Sequence, residues 1–222
     1  MAILGQFIAE PILGLLDIPP EVMPNAISYL KIYLFGMPII LLYNFQAAIF
    51  RSVGETQMPL YALLLASIFN IVLDLLFVCV FKLDVTGVAI ATVLANAVSA
   101  LVLLRRLLRR EDWIRLDLKK LRIDRATFAE IIRIGLPAGI QNAVFSLANV
   151  VIQGAINSLG TMVIAASSAA LILELVAYSI FSSFGQACTT FVGQNYGAGQ
   201  IRRCRKTMLL SLLEDAAATF LA

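Results

Sequence analysis

No histidine occurs among the 222 residues, so no Ser/His/Asp or Cys/His constellation and no histidine-bearing zinc site can be assembled. Cysteine is nearly as scarce. Cys79, Cys188 and Cys204 are odd in number and far apart, which suits neither a disulfide framework nor a CxxC metal site. They read as small packing residues. There is no Walker A loop and no GxGxxG turn, so the chain carries no nucleotide engine of its own. With its acids also scattered, it reads as something other than an enzyme, with no cofactor and no metal.

Charge is the next shortage. Only 14% of residues are charged and 60% are hydrophobic, with a mean hydropathy of +0.90. Ordinary globular chains hold about 25% charged and about 45–50% apolar residues. A compact core of this size cannot bury the difference, so the excess must face lipid. At ~20 apolar residues per span plus connections, the length allows roughly seven transmembrane helices. The net charge of +3 does not point to nucleic acid, because the basic residues cluster between apolar runs.

Those runs cover residues 1–16, 24–50, 59–81, 85–104, 130–159 and 161–192, with a further one opening near Met208. The first has no basic leader and no small-residue cleavage site, and Glu10-Pro11 interrupts it. It reads as the tail of a helix rather than a signal peptide. The last is unfinished at Ala222. Both ends are expected to be truncations of a larger, transporter-sized chain.

Orientation follows from the alternation of basic connections. All of the 17 Lys and Arg except Lys31 and Lys82 fall at Arg51, between Arg105 and Arg133, or between Arg202 and Lys206. That set of loops is expected in the cytoplasm of a multi-pass protein of the cell (plasma or inner) membrane. In the longest connection, Trp113, Ile114, Leu116, Leu118, Leu121 and Ile123 alternate with basic residues. This suits either an interfacial segment on an anionic leaflet or a solvated linker. Asp124 is placed to cap the following helix.

Function is sought where polar groups accept the cost of lipid depth. Asp74 and Glu174 lie inside apolar runs, where a carboxylate costs ~2.5–3.5 kcal/mol and normally faces a bundle interior or a wet cavity. Ser67, Asn70 and Asp74 share one helix face. Glu174 continues through Tyr178, Ser182, Gly185 and Thr189 as a second seam. The longest stripe is Asn142, Ser146, Asn149, Gln153 and Asn157, read as a cavity lining with interhelical packing as the alternative. Tyr33, Met37 and Asn44 repeat the theme more weakly. Gly87, Ala91, Ala95 and Ser99 form a ladder of small residues at every fourth position, which predicts close helix packing. Pro38 and Pro137 should kink or loosen their helices.

Several segments, taken in order, resemble the multidrug and toxic compound extrusion (MATE) transporters. They are Tyr29–Gly36 with Ala48–Thr56 and Pro59; Asn70–Asp74 with Gly87–Thr92; Ile134–Pro137; and Val192–Gly199 with the basic cluster that follows. The resemblance implies an all-α integral membrane protein, a polytopic transmembrane helix bundle that is a fragment of a twelve-helix, two-lobe antiporter. Residues 1–104 would be the later helices of the N-terminal lobe, 105–129 the basic cytoplasmic interlobe loop, and 130–222 the early helices of the C-terminal lobe. The remaining helices of the full-length chain would be partners, with the lipid bilayer and small organic cations as cargo. Export of cationic or amphipathic compounds would be exchanged for a proton or sodium ion. Glu174 and Asp74 are the candidates for ion coupling and cation binding. Asn70, Asn142, Ser146, Asn149, Gln153, Asn157, Tyr33, Asn44 and Tyr178 are the candidate cavity lining. The alternative is a flippase for lipid-linked saccharides from the same wider superfamily, which would be expected to line its cavity with Arg or Lys. No basic residue lies deep in a span, which favours cationic cargo. By itself the chain, lacking half of such a cavity, is expected not to transport.

Overall fold

A computed structural model describes residues 6, 10, 13, 23–112 and 114–221. It is helical throughout: α1 (Met23–Ser52), α2 (Gln57–Leu75) continued by a π-helical turn (Leu76–Val80), α3 (Asp84–Leu108), a short 3-10 turn (Leu118–Lys120), α4 (Arg125–Ser158), α5 (Thr161–Gly197) and α6 (Ile201–Leu221). Most of the expected first run, and Trp113, lie outside the described residues. Among the described residues five helices are long and apolar enough to cross a membrane: Met23–Ser52, Gln57–Val80, Asp84–Leu108, Arg125–Ser158 and Met162–Gly197. Helix α6 is not among them, because Arg202, Arg203, Arg205, Lys206, Glu214 and Asp215 break its apolar pattern. The basic cluster 202–206, expected in a loop, forms the first turns of that helix.

The chain divides into two compact units, Met1–Leu116 with Thr190–Gln200, and Asp117–Thr189 with Ile201–Ala222. In the first unit α1 and α3 pack along much of their length. Gly36 faces Val93 so closely that a Cβ would overlap the valine side chain. Further along both helices Phe50 is buried with Leu103 and Leu107. Both helices therefore run the same way. Helix α2 returns between them in sequence, with Ala62 joining Ala47 in the same cluster and the Tyr43 hydroxyl donating to the Pro59 carbonyl at 3.5 Å. The expected small-residue ladder is realised: Gly87, Ala91, Ala95 and Ser99 are all buried.

One end of this cluster is closed by Arg110. Its guanidinium lies 5.7 Å from the Phe50 ring centroid, pairs with Glu55 in the α1–α2 turn, and bonds Asp112 at 2.8 Å. The arginine holds the Asp112 carboxyl below the usual aspartate range. Gly54 supplies the positive φ of 81° that the turn requires. The Gln194 side-chain amide, from the end of α5, donates to the Ser52 carbonyl at 2.8 Å. At the opposite end, Lys31 pairs with Glu10 at 2.6 Å and Gln6 donates to the Lys31 carbonyl at 2.8 Å.

In the second unit, α4, α5 and α6 make no helix–helix packing with one another among the described residues. Helices α1 and α4 continue through Pro38 and Pro137. Helix α4 starts earlier than its apolar run because Asp124 accepts hydrogen bonds from the Thr127 amide (2.8 Å) and hydroxyl (2.7 Å), a side-chain N-cap.

Two predictions follow from this packing. Gln46 is only 3% exposed, yet neither side-chain amide atom has a hydrogen-bond partner; a buried polar group so placed opposes folding. Gln46→Met should hold or raise the melting temperature in detergent, whereas Phe50→Ala, emptying the cluster, should cost about 3 kcal/mol. Bonds from Thr127 hold the Asp124 carboxyl below its ordinary value. Its cap is thus fully formed above about pH 4, the unfolded value, and lost as pH falls through the lower folded one. The Asp124 carboxyl carbon, followed by NMR, should titrate below an ordinary aspartate, and the Thr127 amide shift should follow it. Asp124→Ala should loosen the start of α4 at neutral pH, with the difference from wild type disappearing in strong acid.

Candidate functional site

The apolar residues of α2 point outward on most sides; Leu63, Leu64, Leu65, Ile68, Ile71 and Val72 are all exposed. On its remaining face Ala62 and Ala66 are buried. These small residues let the helix approach α3, and Ser67, Asn70 and Asp74 lie beside that contact. A cavity of about 100 Å³ opens there, lined by Leu63, Ala66, Ser67 and Asn70 from α2 and by Thr92, Ala95 and Asn96 from α3.

The polar groups of the cavity are not all committed. Thr92 donates its hydroxyl back to the Val88 carbonyl at 2.9 Å, and the Asn96 amide donates to the Thr92 carbonyl at 2.8 Å. Each leaves an acceptor oxygen free of that bond. The Asn70 amide nitrogen is shut off from solvent with no partner, and so is one carboxylate oxygen of Asp74, one turn further along α2. Because nothing inside a bilayer substitutes for water, unmatched donors and acceptors at this depth are costly unless a polar partner meets them. No group of three or more His, Cys, Asp or Glu side chains suited to a transition metal exists among the described residues.

Immediately after Asp74 the helix widens into the π turn Leu76–Val80, with the Phe81 amide bonded to the Leu76 carbonyl at 3.1 Å. The chain then reverses through Lys82 and Asp84, both in the left-handed region at φ 54° and 46°. Gly87 sits against the Phe77 side chain. The tight reversal sets α2 and α3 side by side and fixes Asn70 opposite Thr92 and Asn96.

The other candidates are placed differently. Tyr33 stacks on Tyr29 with ring centroids 6.2 Å apart. Asn44 is exposed and donates to the Ile40 carbonyl of its own helix at 2.9 Å. Asn142, Ser146, Asn149, Gln153 and Asn157 do share a face of α4, on which nothing packs within that unit among the described residues. Within it Ser146 donates to the Asn142 carbonyl at 2.9 Å and Gln153 to the Asn157 side chain at 2.9 Å. Glu174 and Tyr178 are exposed on α5. Asn70 and Asp74 are thus brought together in the first unit, while Glu174 and Tyr178 belong to the second.

Thr92 and Asn96 were not among the expected site residues. Each sits one position beyond a member of the small-residue ladder, Ala91 and Ala95, which drew attention to packing. A threonine and an asparagine four apart in an apolar helix were the available signal.

The sequence profile described as MatE matches residues 1–76 and 137–218. A "Probable multidrug resistance protein" of Bacillus subtilis is 30% identical over 203 residues, covering 90% of this chain and 44% of the relative. An "FAD transporter" of Shewanella oneidensis is 29% identical over 222 residues, covering 96% of this chain and 48% of that protein. A crystal structure of MATE in the bent conformation superposes with a TM-score of 0.88 at 22% identity, covering 99% of this chain and 50% of the other. The chain therefore spans about half the length of these proteins, and its helices trace half of that fold.

Proposed function

The chain belongs to the multidrug and toxic compound extrusion family, MatE, and on that premise we propose that it serves the export of cationic or amphipathic compounds in exchange for protons or sodium ions. The observation that carries this reading is the polar cavity beside Asp74. A carboxylate at lipid depth needs its charge matched, by a proton or by a cation. Ser67, Asn70, Thr92 and Asn96 line the cavity, and the Asp74 carboxylate, one turn beyond Asn70 on α2, is the acid offered to either ion. Sodium is bound by such carboxylate, amide and hydroxyl oxygens; a proton needs only the carboxylate.

Glu174 is the second acid in the proposal. It is exposed on α5 and is offered to an organic cation. If the ion and the cargo cannot be held at the same time, the downhill movement of one drives the other. The basic connections face the cytoplasm in this reading, because Lys and Arg accumulate on that side of alternating spans. Among the described residues of α1 to α5, Lys and Arg lie toward helix ends rather than at mid-span, which favours a cation over an anionic nucleotide as cargo.

The test is efflux of fluorescent organic cations, with FAD as the anionic comparison, from cells making the full-length protein under imposed pH or sodium steps. Asp74→Asn should reduce ion-driven export at least about tenfold and flatten its dependence on the imposed gradient. Glu174→Gln should weaken export of the cations. Unchanged export and pH dependence in both variants would remove the coupling proposal, and export of FAD without the cations would remove the cationic cargo.

A further inference from the structure

We propose that residues 117–125 form an interfacial anchor that seats on anionic lipid headgroups at the basic side of the membrane. The segment joins two spans, α3 ending at Leu108 and α4 starting at Arg125, so both of its ends are tethered near the headgroups. Its apolar side chains divide into two sets. Ile114 and Leu116, just before it, pack against the Phe50 cluster. Leu118, Leu121 and Ile123 do not: they are 58, 63 and 85% exposed.

The charges divide in the same way. Each acid of residues 112–125 is engaged by its own neighbours. Asp112 is held by Arg110, Asp117 accepts from the Lys119 amide at 3.0 Å and pairs loosely with Lys120 at 3.7 Å, and Asp124 caps α4. Lys119, Arg122 and Arg125 have no acidic partner among the described residues. What the segment offers outward is therefore positive charge interleaved with aliphatic side chains, the complement of an anionic headgroup layer over acyl chains.

Depth follows from the backbone. Asp117, Leu121 and Asp124 are extended, so their N–H and C=O groups need water or headgroups and cannot enter the hydrocarbon. The aliphatic side chains dip below the phosphates while the basic ones meet them. This holds whichever leaflet the basic loops face, and it does not depend on the transport reading.

The chain with Cys79, Cys188 and Cys204 changed to serine and carrying Leu121→Cys would be reconstituted in phosphatidylcholine vesicles with or without phosphatidylglycerol, and labelled with a water-soluble maleimide. Labelling should be slower by about tenfold with phosphatidylglycerol present, and high salt or the added changes Lys119→Gln, Lys120→Gln and Arg122→Gln should abolish the difference. Glu111→Cys, in the same background, should label equally in both vesicles. Hydrogen exchange of residues 118–123 in the unaltered chain needs no substitution and should slow in the same lipid. Equal labelling and exchange in both vesicles would overturn the anchor and leave either a solvated linker or a surface for a protein partner.

Discussion

A backbone inside a bilayer has no water to bond with, so its polar groups must be satisfied within each helix, and everything else in this chain follows from that requirement. It explains why the spans are unbroken helices through two prolines and why the non-helical backbone of residues 114–117 and 121–124 falls between α3 and α4. It also explains why burial of apolar side chains contributes so little to specificity. Leucine is as comfortable against lipid as against leucine. Shape and polarity must therefore decide which helices meet.

In the first unit the deciding residues are small. Gly36 admits Val93, and Gly87, Ala91, Ala95 and Ser99 turn one face of α3 into a groove. Once backbones come this close, neighbouring side chains on the rim are brought together as well. Thr92 and Asn96 are such rim residues, and the approach of α2 sets them against Ser67 and Asn70. The same few small residues that make the packing possible thus also fix the polar cavity. Phe50 and Arg110 act at the end of this unit, where a buried ring under a guanidinium closes the cluster.

The five spans were legible in the sequence because hydropathy over twenty residues is a strong signal, and the helices differ from the apolar runs mainly at their ends. There local chemistry decides: the Asp124 cap starts α4 ahead of its apolar run, and α6 takes up the cluster 202–206, since a basic run is as helix-competent as an apolar one. The polar face of α2 was legible as well, because serine, asparagine and aspartate at helical spacing stand out against leucine. Its partners were not. Thr92 and Asn96 are unremarkable until α3 is placed against α2, and nothing in the periodicity of α1 marks Gln46 as buried. Such facts belong to pairs of helices, whereas periodicity describes one helix at a time.

The intramembrane acids also carry an argument in what they are not bonded to. Among the described residues the ion pairs involve Glu10, Glu55, Asp112 and Asp117, all at the ends of spans or beyond them, and none involves Asp74 or Glu174. An arginine beside Asp74 would satisfy the charge permanently and leave nothing to exchange, since separating a buried pair costs several kcal/mol. An amide neighbour such as Asn70, one turn away on the same helix, acts differently. Its dipole can reorient without neutralising a nearby carboxylate. Partial compensation of this kind leaves the charge state of an acid free to change, whereas a full counter-charge would fix it.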